Sequence, residues 1–547
     1  MSSTIANVRR LSNRASPHGS TGRPRSRKHN DPPNQAESEC SPHSAAGTPE
    51  LFALGKGWSL LRAMTAVVAL TAAVSGCAVG PDYEAPSTHL APFHNRVATN
   101  DARPSTPAPP LDTWWTGFND PTLATVVQRV LAQNLDLAAA FARVQQARAV
   151  AAGAGAQLLP TLDFDASGTA LHQSLQSPIG SIARTLPGYS RDQRDSTAGA
   201  VASWEIDVAG GLRRNAAAAR EEAQAAQAEQ LGTRITVAAD AADAYLQIRG
   251  FQARLAVTQD QIDTDARLLE LVRVRRRAGA SDEREIAQAE ALLKQAMATV
   301  PVLRTALEAQ MNRLDVLMGA QPGTYAEELA IPGPIPAIPR IDDSDQPLDV
   351  LRRRPDIIAA ERRLAASNER IGAAIADYYP KVSLSGLLGF DSISAGHLFT
   401  ASAFQAAGTG ALRWRLFDFG RVDAEVRQAR GANAEALALY RLSVLKAAED
   451  VENAFTALSQ TEARRQELQD EVASLTRARD LSERAYKAGA ITLTDVLDAD
   501  RQLLVARDEL DRVRAELARA AVGTFRALGG GWASPSDVRT ASAGVLF

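Results

Sequence analysis

The side chains that ordinarily do chemistry are sparse in this 547-residue chain and do not converge. Beyond residue 77 the histidines are His89, His94, His172 and His397, scattered as surface or loop positions. Cys40 and Cys77 are the only cysteines, and they fit neither a disulfide framework nor a metal cluster. The chain has no glycine loop that would cradle a phosphate and no nucleophile elbow. Two features remain. One is Cys77, which ends the small-residue run Val74-Ser75-Gly76-Cys77. The other is the pair Asp495 and Asp498, whose i, i+3 spacing lets both carboxylates face one way on a helix. Thr492-x-x-Asp495 is also a capping-box spacing, so Asp495 has a second reading as a helix cap. Asp498 lies a turn deeper and is not explained by capping.

The surroundings of Cys77 are those of an exported protein. Residues 1–50 are rich in Ser, Pro, Arg and Asn and read as disordered. Residues 51–76 then carry Lys56 and Arg62, the apolar run Ala63–Val74 and the small residues, the layout of a secretory signal peptide. The box ending at Cys77 resembles the bacterial lipoprotein signal, in which the cysteine becomes the lipidated new N-terminus. With Ala78 and Val79 following, and no Asp, that resemblance implies sorting to the outer membrane. Acyl chains, at about 0.8 kcal/mol per buried CH₂, would hold the protein on its membrane. The leader is long, and the expectation is that translation begins near residues 51–56, leaving 1–50 as an artefactual extension. Removing the nine basic and four acidic residues of the first 76 from totals of 60 and 63 leaves 51 and 59, a net charge of −8. That balance speaks against nucleic acid as a partner.

The elements that position these residues are written twice. Trp204, Gly210, Tyr245, Gly279 and Gly319 are answered by Trp414, Gly420, Phe455, Gly489 and Gly529, each 210 positions on. No proline occurs between Pro187 and Pro301 or between Pro380 and Pro535. Continuous helices over 212–278 and 421–488 would each be roughly 100 Å long at 1.5 Å rise per residue. Val422, Val426, Ala429, Ala436, Tyr440, Val444, Ala447, Val451, Ala454 and Leu458 recur at spacings of mostly three and four, a coiled-coil seam. Leu231, Ile235, Ala238, Ala242 and Tyr245 begin the corresponding seam in the first copy. Gly279 and Gly489 favour a left-handed helix stop, after which shorter helices return over 283–317 and 493–528. Pro301 is expected to kink the first of these.

Ahead of each long helix lie two alternating stretches. Leu162, Phe164, Ala166, Gly168 and Ala170 follow Pro160, and Val382, Leu384, Gly386, Leu388 and Phe390 follow Pro380. Ala198, Ala200, Ala202, Trp204 and Ile206, and then Gly408, Gly410, Leu412, Trp414 and Leu416, complete the set. About ten residues with one apolar face is the signature of a transmembrane β-strand, although two surface hairpins would read alike. Four strands cannot close a barrel alone, so assembly is forced if they span.

The N-terminal residues after Cys77 run Ala-Val-Gly-Pro-Asp-Tyr, and Trp114-Trp115-Thr-Gly-Phe118-Asn-Asp120-Pro121 opens the first helix, with Asp120 as N-cap. A second helix around Leu135–Gln157 carries Leu137, Phe141, Val144 and Ala147 on one face. With Asn134-x-Asp136-Leu137 and Arg353-Arg354-Pro355-Asp356-Ile357, these pieces resemble the TolC-like outer-membrane efflux family, in its NodT-type lipoprotein branch, over roughly Cys77–Trp532. The resemblance implies a mainly α protein with a small β part. Each chain would contribute four transmembrane strands to a twelve-stranded barrel closed by a homotrimer, above a coiled-coil α-barrel. The expected organisation is a lipidated tether over 77–112, a first repeat over 113–330 with its hairpin at 161–206, and a Pro-rich linker over 331–347. A second repeat follows over 348–530 with its hairpin at 381–416, then a tail over 531–547.

The resemblance also implies a role. The assembly would be the exit duct of a tripartite efflux pump, not an enzyme, with no cofactor beyond the covalent lipid on Cys77. Its partners would be outer-membrane lipids, a periplasmic adaptor and an inner-membrane resistance-nodulation-division pump. Tyr486-x-x-Gly489…Asp495-Val496-Leu497-Asp498 matches the family's periplasmic entrance, where acidic rings narrow the pore and favour cations. Glu285 is the aligned residue of the first copy, and the tips around Gly279, Ser281, Gly489 and Thr492 would receive the adaptor. Where family members can carry a latching arginine, this chain has Ile491. A protein-secretion duct would share the architecture, and a non-channel scaffold lipoprotein would share the coiled coils.

Overall fold

In a computed structural model, residues 78–87, 91–95, 108–341 and 352–533 are described. The readings made on the leader, on Cys77 and on the tail beyond 533 lie outside the described residues. A 3-10 segment, Leu111–Phe118, precedes α1 (Pro121–Gln133) and α2 (Leu135–Ala156). Then come β1 (Thr161–His172), the short α3 (Pro178–Ala183), β2 (Asp192–Ile206), α4 (Gly211–Arg277), α5 (Glu283–Leu317) and α6 (Ala326–Leu329). The second repeat holds α7 (Pro355–Ala376), β3 (Lys381–Ser392), β4 (Phe404–Arg413), α8 (Arg421–Lys487) and α9 (Leu493–Ala527). Both long helices have 67 residues and both return helices 35, so the duplication seen in the landmarks extends to element length. α5 continues through Pro301, whose missing N–H interrupts the ladder without ending the helix.

Local chemistry starts the elements where the sequence signals stand. Asp120 Oδ1 accepts from the N–H groups of Thr122 and Leu123 at 2.9 and 3.1 Å, capping α1. Its other oxygen takes the Tyr245 hydroxyl at 2.7 Å, which ties α1 to the middle of α4. At each strand-to-helix junction an aspartate accepts the first helical N–H groups: Asp207 from Leu212 and Arg213, Asp418 from Gly420 and Val422. The core sits at mid-length of the long helices. There Trp114, stacked on Phe525 at 5.4 Å, packs with Val126, Tyr245, Leu246, Leu314, Phe455 and Val522.

The two hairpins merge into one antiparallel sheet of order β1-β2-β3-β4, joined by pairing of β2 with β3. The register sets Leu162 opposite Ala202, Ala200 opposite Leu388 and Leu388 opposite Ala406. Paired residues share a face. One face therefore reads Leu162, Phe164, Leu384, Leu388, Phe404 and Leu412, and all six are exposed. The other carries Asp163, Asp165, Thr197, Ser385, Thr409 and Arg413. Among the described residues the outer edges of β1 and β4 have no strand neighbour.

The two long helices are packed unequally. α4 lies against α2, α5, α7 and α9, and 25 of its residues are buried. α8 packs on α7 and α9, and its buried residues include Val422, Val426, Tyr440, Val444, Ala447, Val451 and Leu458 along the expected seam. Its Leu439, Leu442 and Leu445, three apart on another face, are exposed. Phe141, read as part of the apolar face of α2, is also exposed, while Ala140 and Val144 are buried. Among the described residues the one large neighbour of α2 is α4, and its far side is left bare by them.

Candidate functional site

The helix tips are built by two glycine stops. Gly279 and Gly489 both have φ of +74°, a conformation that costs an L side chain. A Cβ at either would meet nothing within 4 Å, so the requirement is conformational and not spatial. In the first tip Ala280 N–H donates to the Arg275 carbonyl at 2.8 Å and Gly279 N–H to Arg276 at 2.9 Å. In the second, Ala490 donates to Ala485 and Gly489 to Tyr486, both at 2.9 Å. This is the Schellman pattern, which satisfies the last carbonyls of α4 and α8 and turns the chain back.

The two tips of one chain are fastened to each other. Leu268, Leu269, Val272 and Ala289 of the first repeat are buried against Tyr486, Leu493 and Val496 of the second. Ile491, at the position where family members can carry a latching arginine, is a partly buried member of this apolar cluster. The cation comes from the other repeat. Arg275 lies over the Tyr486 ring, 4.3 Å from its centroid, and its Nη1 donates to the Tyr486 carbonyl at 3.0 Å. Its neighbours Arg273, Arg276 and Arg277 instead form exposed ion pairs with Glu290, Glu283 and Glu270. The sequence reading missed Arg275, yet a signal exists: Leu268, Val272 and Arg275 follow i, i+4 and i+7, the buried stripe of α4.

The acidic residues divide by environment. Glu285 accepts from the Ser281 hydroxyl at 2.5 Å, and its own N–H donates to Asp282, the N-cap of α5. Burial pushes the Tyr486 hydroxyl above its ordinary pKa, the Glu285 charge adds to this, and Arg275 opposes it. Asp495 forms the capping box: one carboxylate oxygen accepts from Thr492 N–H at 2.9 Å and from the Thr492 hydroxyl at 2.7 Å. Those bonds hold its carboxyl below the usual carboxylate range. Asp498 is exposed one turn on, where Arg501 and Gln502 donate to its two oxygens at 2.8 and 2.6 Å. The structure thus brings Tyr486 and Glu285 together with Arg275, and leaves Asp495 and Asp498 on open helix surface. Gly279, Gly489 and Thr492 are exposed at the extremity and Ser281 is half-buried.

At the opposite end, the residues after Cys77 are gripped where the sheet meets the helices. Val79 N–H donates to the Ala209 carbonyl at 3.0 Å. Arg214, itself buried, donates to the carbonyls of Val79 and Gly80 and pairs with Asp82 and Glu369, each at 2.9 Å. Gly80 lies so close to Gly372 that a Cβ would fall 2.4 Å from its Cα. Aromatic side chains crowd the same level: Trp204 and Trp414 donate to the carbonyls of Leu158 and Tyr378, and Phe417 and Phe419 are exposed.

Comparison with known proteins agrees with this geometry. The family model described as outer membrane efflux protein matches residues 126–320 and 347–530. The chain is 33% identical over 432 residues to the pyoverdine export outer membrane protein OpmQ of Pseudomonas putida, covering 79% of this chain and 90% of that one. It is 30% identical to nodulation protein T of Rhizobium leguminosarum bv. trifolii, covering 84% and 95% of the two. Among solved structures, the outer-membrane channel OprN superposes with a TM-score of 0.75 at 32% identity, over 83% of this chain and all of that one. The chain belongs to the outer membrane efflux protein family.

Proposed function

We infer that this chain is the outer-membrane channel of an efflux pump and that it acts as a passive exit duct. The observation that carries the reading is the sheet. An apolar face left open to water over four strands would be a liability, whereas in a bilayer it is the surface that lipid requires. Among the described residues no helix is long and apolar enough to cross a membrane.

The assembly is a homotrimer. Lipid does not tolerate open strand edges, and the unpaired edges of β1 and β4 call for neighbours. Three chains give a twelve-stranded barrel, with the polar face of each sheet lining its lumen. The exposed Leu439, Leu442 and Leu445 stripe of α8 and the bare side of α2 then pack between chains. Below the barrel, α4 and α8 form a tunnel about 100 Å long at 1.5 Å per residue. Cys77 carries the lipid, and the Arg214 grip on Val79–Asp82 keeps that anchor beside the aromatic level of the sheet. Arg275, Tyr486 and Glu285 hold the tips closed, and Asp498 gives the entrance its preference for cations. The tips around Gly279, Ser281, Gly489 and Thr492 receive a periplasmic adaptor, and an inner-membrane resistance-nodulation-division pump drives the cargo. The named relatives differ in what they serve, pyoverdine export in one case and nodulation in another. That spread suits a duct that leaves the choice of compound to its pump.

The test is reconstitution of the purified full-length protein in planar bilayers. Discrete, cation-preferring conductance steps are expected, and a protein that binds the bilayer without conducting would refute the duct.

A further inference from the structure

Two carboxylates are buried in the helical body where charge is unexpected. Asp265 on α4 and Asp500 on α9 are each 1% exposed. Gln261 donates to one oxygen of Asp265 at 2.7 Å, and Arg479 on α8 donates to one oxygen of Asp500 at 2.9 Å. The second oxygen of each carboxyl is buried and without a hydrogen-bond partner. Among the described residues the only cation bonded to either is Arg479, and it is shared with Glu483 at 2.7 Å and Asp480 at 3.3 Å, while Lys487 is engaged by Glu483. Arg507 of α9 acts on Asp500 from farther off, and α5 contributes none of the groups bonded to the two carboxyls. Ionised carboxylates only accept. Asp265, with one orphan acceptor and no cation among the described residues bonded to it, lacks one donor and one positive charge, and a single proton supplies both.

We propose that the buried Asp265 holds a proton in the packed state and so acts as a proton-dependent bolt fastening α4 of the first repeat to α9 of the second. The bolt lies one helical turn from the tip cluster, since Leu268 and Leu269 follow Asp265 at i+3 and i+4 and Val496 precedes Asp500 by four. With the proton present, the repeats are held together just behind the tips. When it leaves, a carboxylate charge with no bonded cation is left in a site closed to water, and the contact between repeats weakens. The inference does not depend on what the duct carries.

Burial, reinforced by the Asp500 charge, raises the Asp265 pKa from 3.8 to about 6. The Asp500 carboxyl is raised as well, chiefly by burial. A folded pKa above the unfolded one makes the packed state most favoured below 3.8 and progressively weaker as pH rises through about 6. Linkage between those two values gives a local opening equilibrium that rises about tenfold from about pH 5 to 7 and then levels off.

The experiment is amide hydrogen exchange across this pH range on the full-length, detergent-extracted protein, corrected for intrinsic rates and read over residues 261–272 and 493–503. The wild type should show the tenfold rise. Asp265→Asn, whose amide donates as the protonated acid would, should stay protected with a flat profile. A flat wild-type profile, or an unchanged slope in Asp265→Asn, overturns the proposal. Should that variant fail to assemble, infrared titration of the wild type decides. A protonated-carboxyl band present at pH 5 and lost by pH 7 is expected, and its absence at pH 5 overturns the bolt.

Discussion

Replacing Arg275 by alanine removes a cationic side chain that reaches from the first tip onto the second-repeat residue Tyr486. Two interactions go together: the stack on the Tyr486 ring at 4.3 Å and the bond to its carbonyl at 3.0 Å. A cation–π contact contributes about 0.5–2 kcal/mol and a hydrogen bond from a charged group about 1.5–3 kcal/mol. Because one half-buried side chain makes both, they do not add fully, and about 2 kcal/mol per chain is a fair expectation. That corresponds to about a thirtyfold shift in the equilibrium between fastened and loosened tips. Single-channel recording of wild type, Arg275→Ala and Arg275→Lys in planar bilayers reads the effect. Arg275→Ala should spend far more time in large-conductance states. Arg275→Lys should be intermediate, since lysine keeps the charge and loses the planar fork. Identical conductance and dwell times in all three would refute the view that this contact holds the tips.

Other expectations follow from the same geometry. Asp498→Ala should lower cation over anion selectivity with little change in thermal stability, whereas Asp495→Ala, which breaks the capping box, should do the reverse; selectivity and melting temperature, measured side by side, separate the two. The depressed Asp495 carboxyl contributes to the fold of the tip above its unfolded pKa of 3.8 and loses that contribution as pH falls through its lower folded value. Protease sensitivity of the α8–α9 turn should therefore increase only in strongly acidic solution. Leu388→Lys places a charge on the apolar sheet face and should cost about 2–4 kcal/mol per chain at mid-bilayer, seen as loss of protein from the outer-membrane fraction. Normal insertion of that variant would argue that this face does not meet lipid.

Local signals in the sequence were the most legible. Proline at 160 and 380 and glycine at 279 and 489 act on their own backbone, and the observed elements start or stop within a residue or two of them. The alternation of apolar residues was readable too, because a strand repeats every two positions. Pairing of β2 with β3 was not, since it joins Ile206 to Val382 across α4, α5, the linker and α7. Arg275 was hidden for the same reason: its target lies 211 positions away, and three neighbouring arginines look identical in sequence. Asp265 and Asp500 read as ordinary charges on polar helices, because burial between repeats is a property of packing and not of spacing. Asp495 satisfied two patterns at once, and only the bonds to Thr492 identify the capping role in the single chain.

The central claim is that sheets from three chains close one barrel. The most direct measurement is the native mass of protein extracted from outer membranes in mild detergent, with the lipid and detergent mass subtracted. The account predicts three chains and no stable smaller species. A stable monomer would leave the edges of β1 and β4 unpaired in lipid and would contradict the duct.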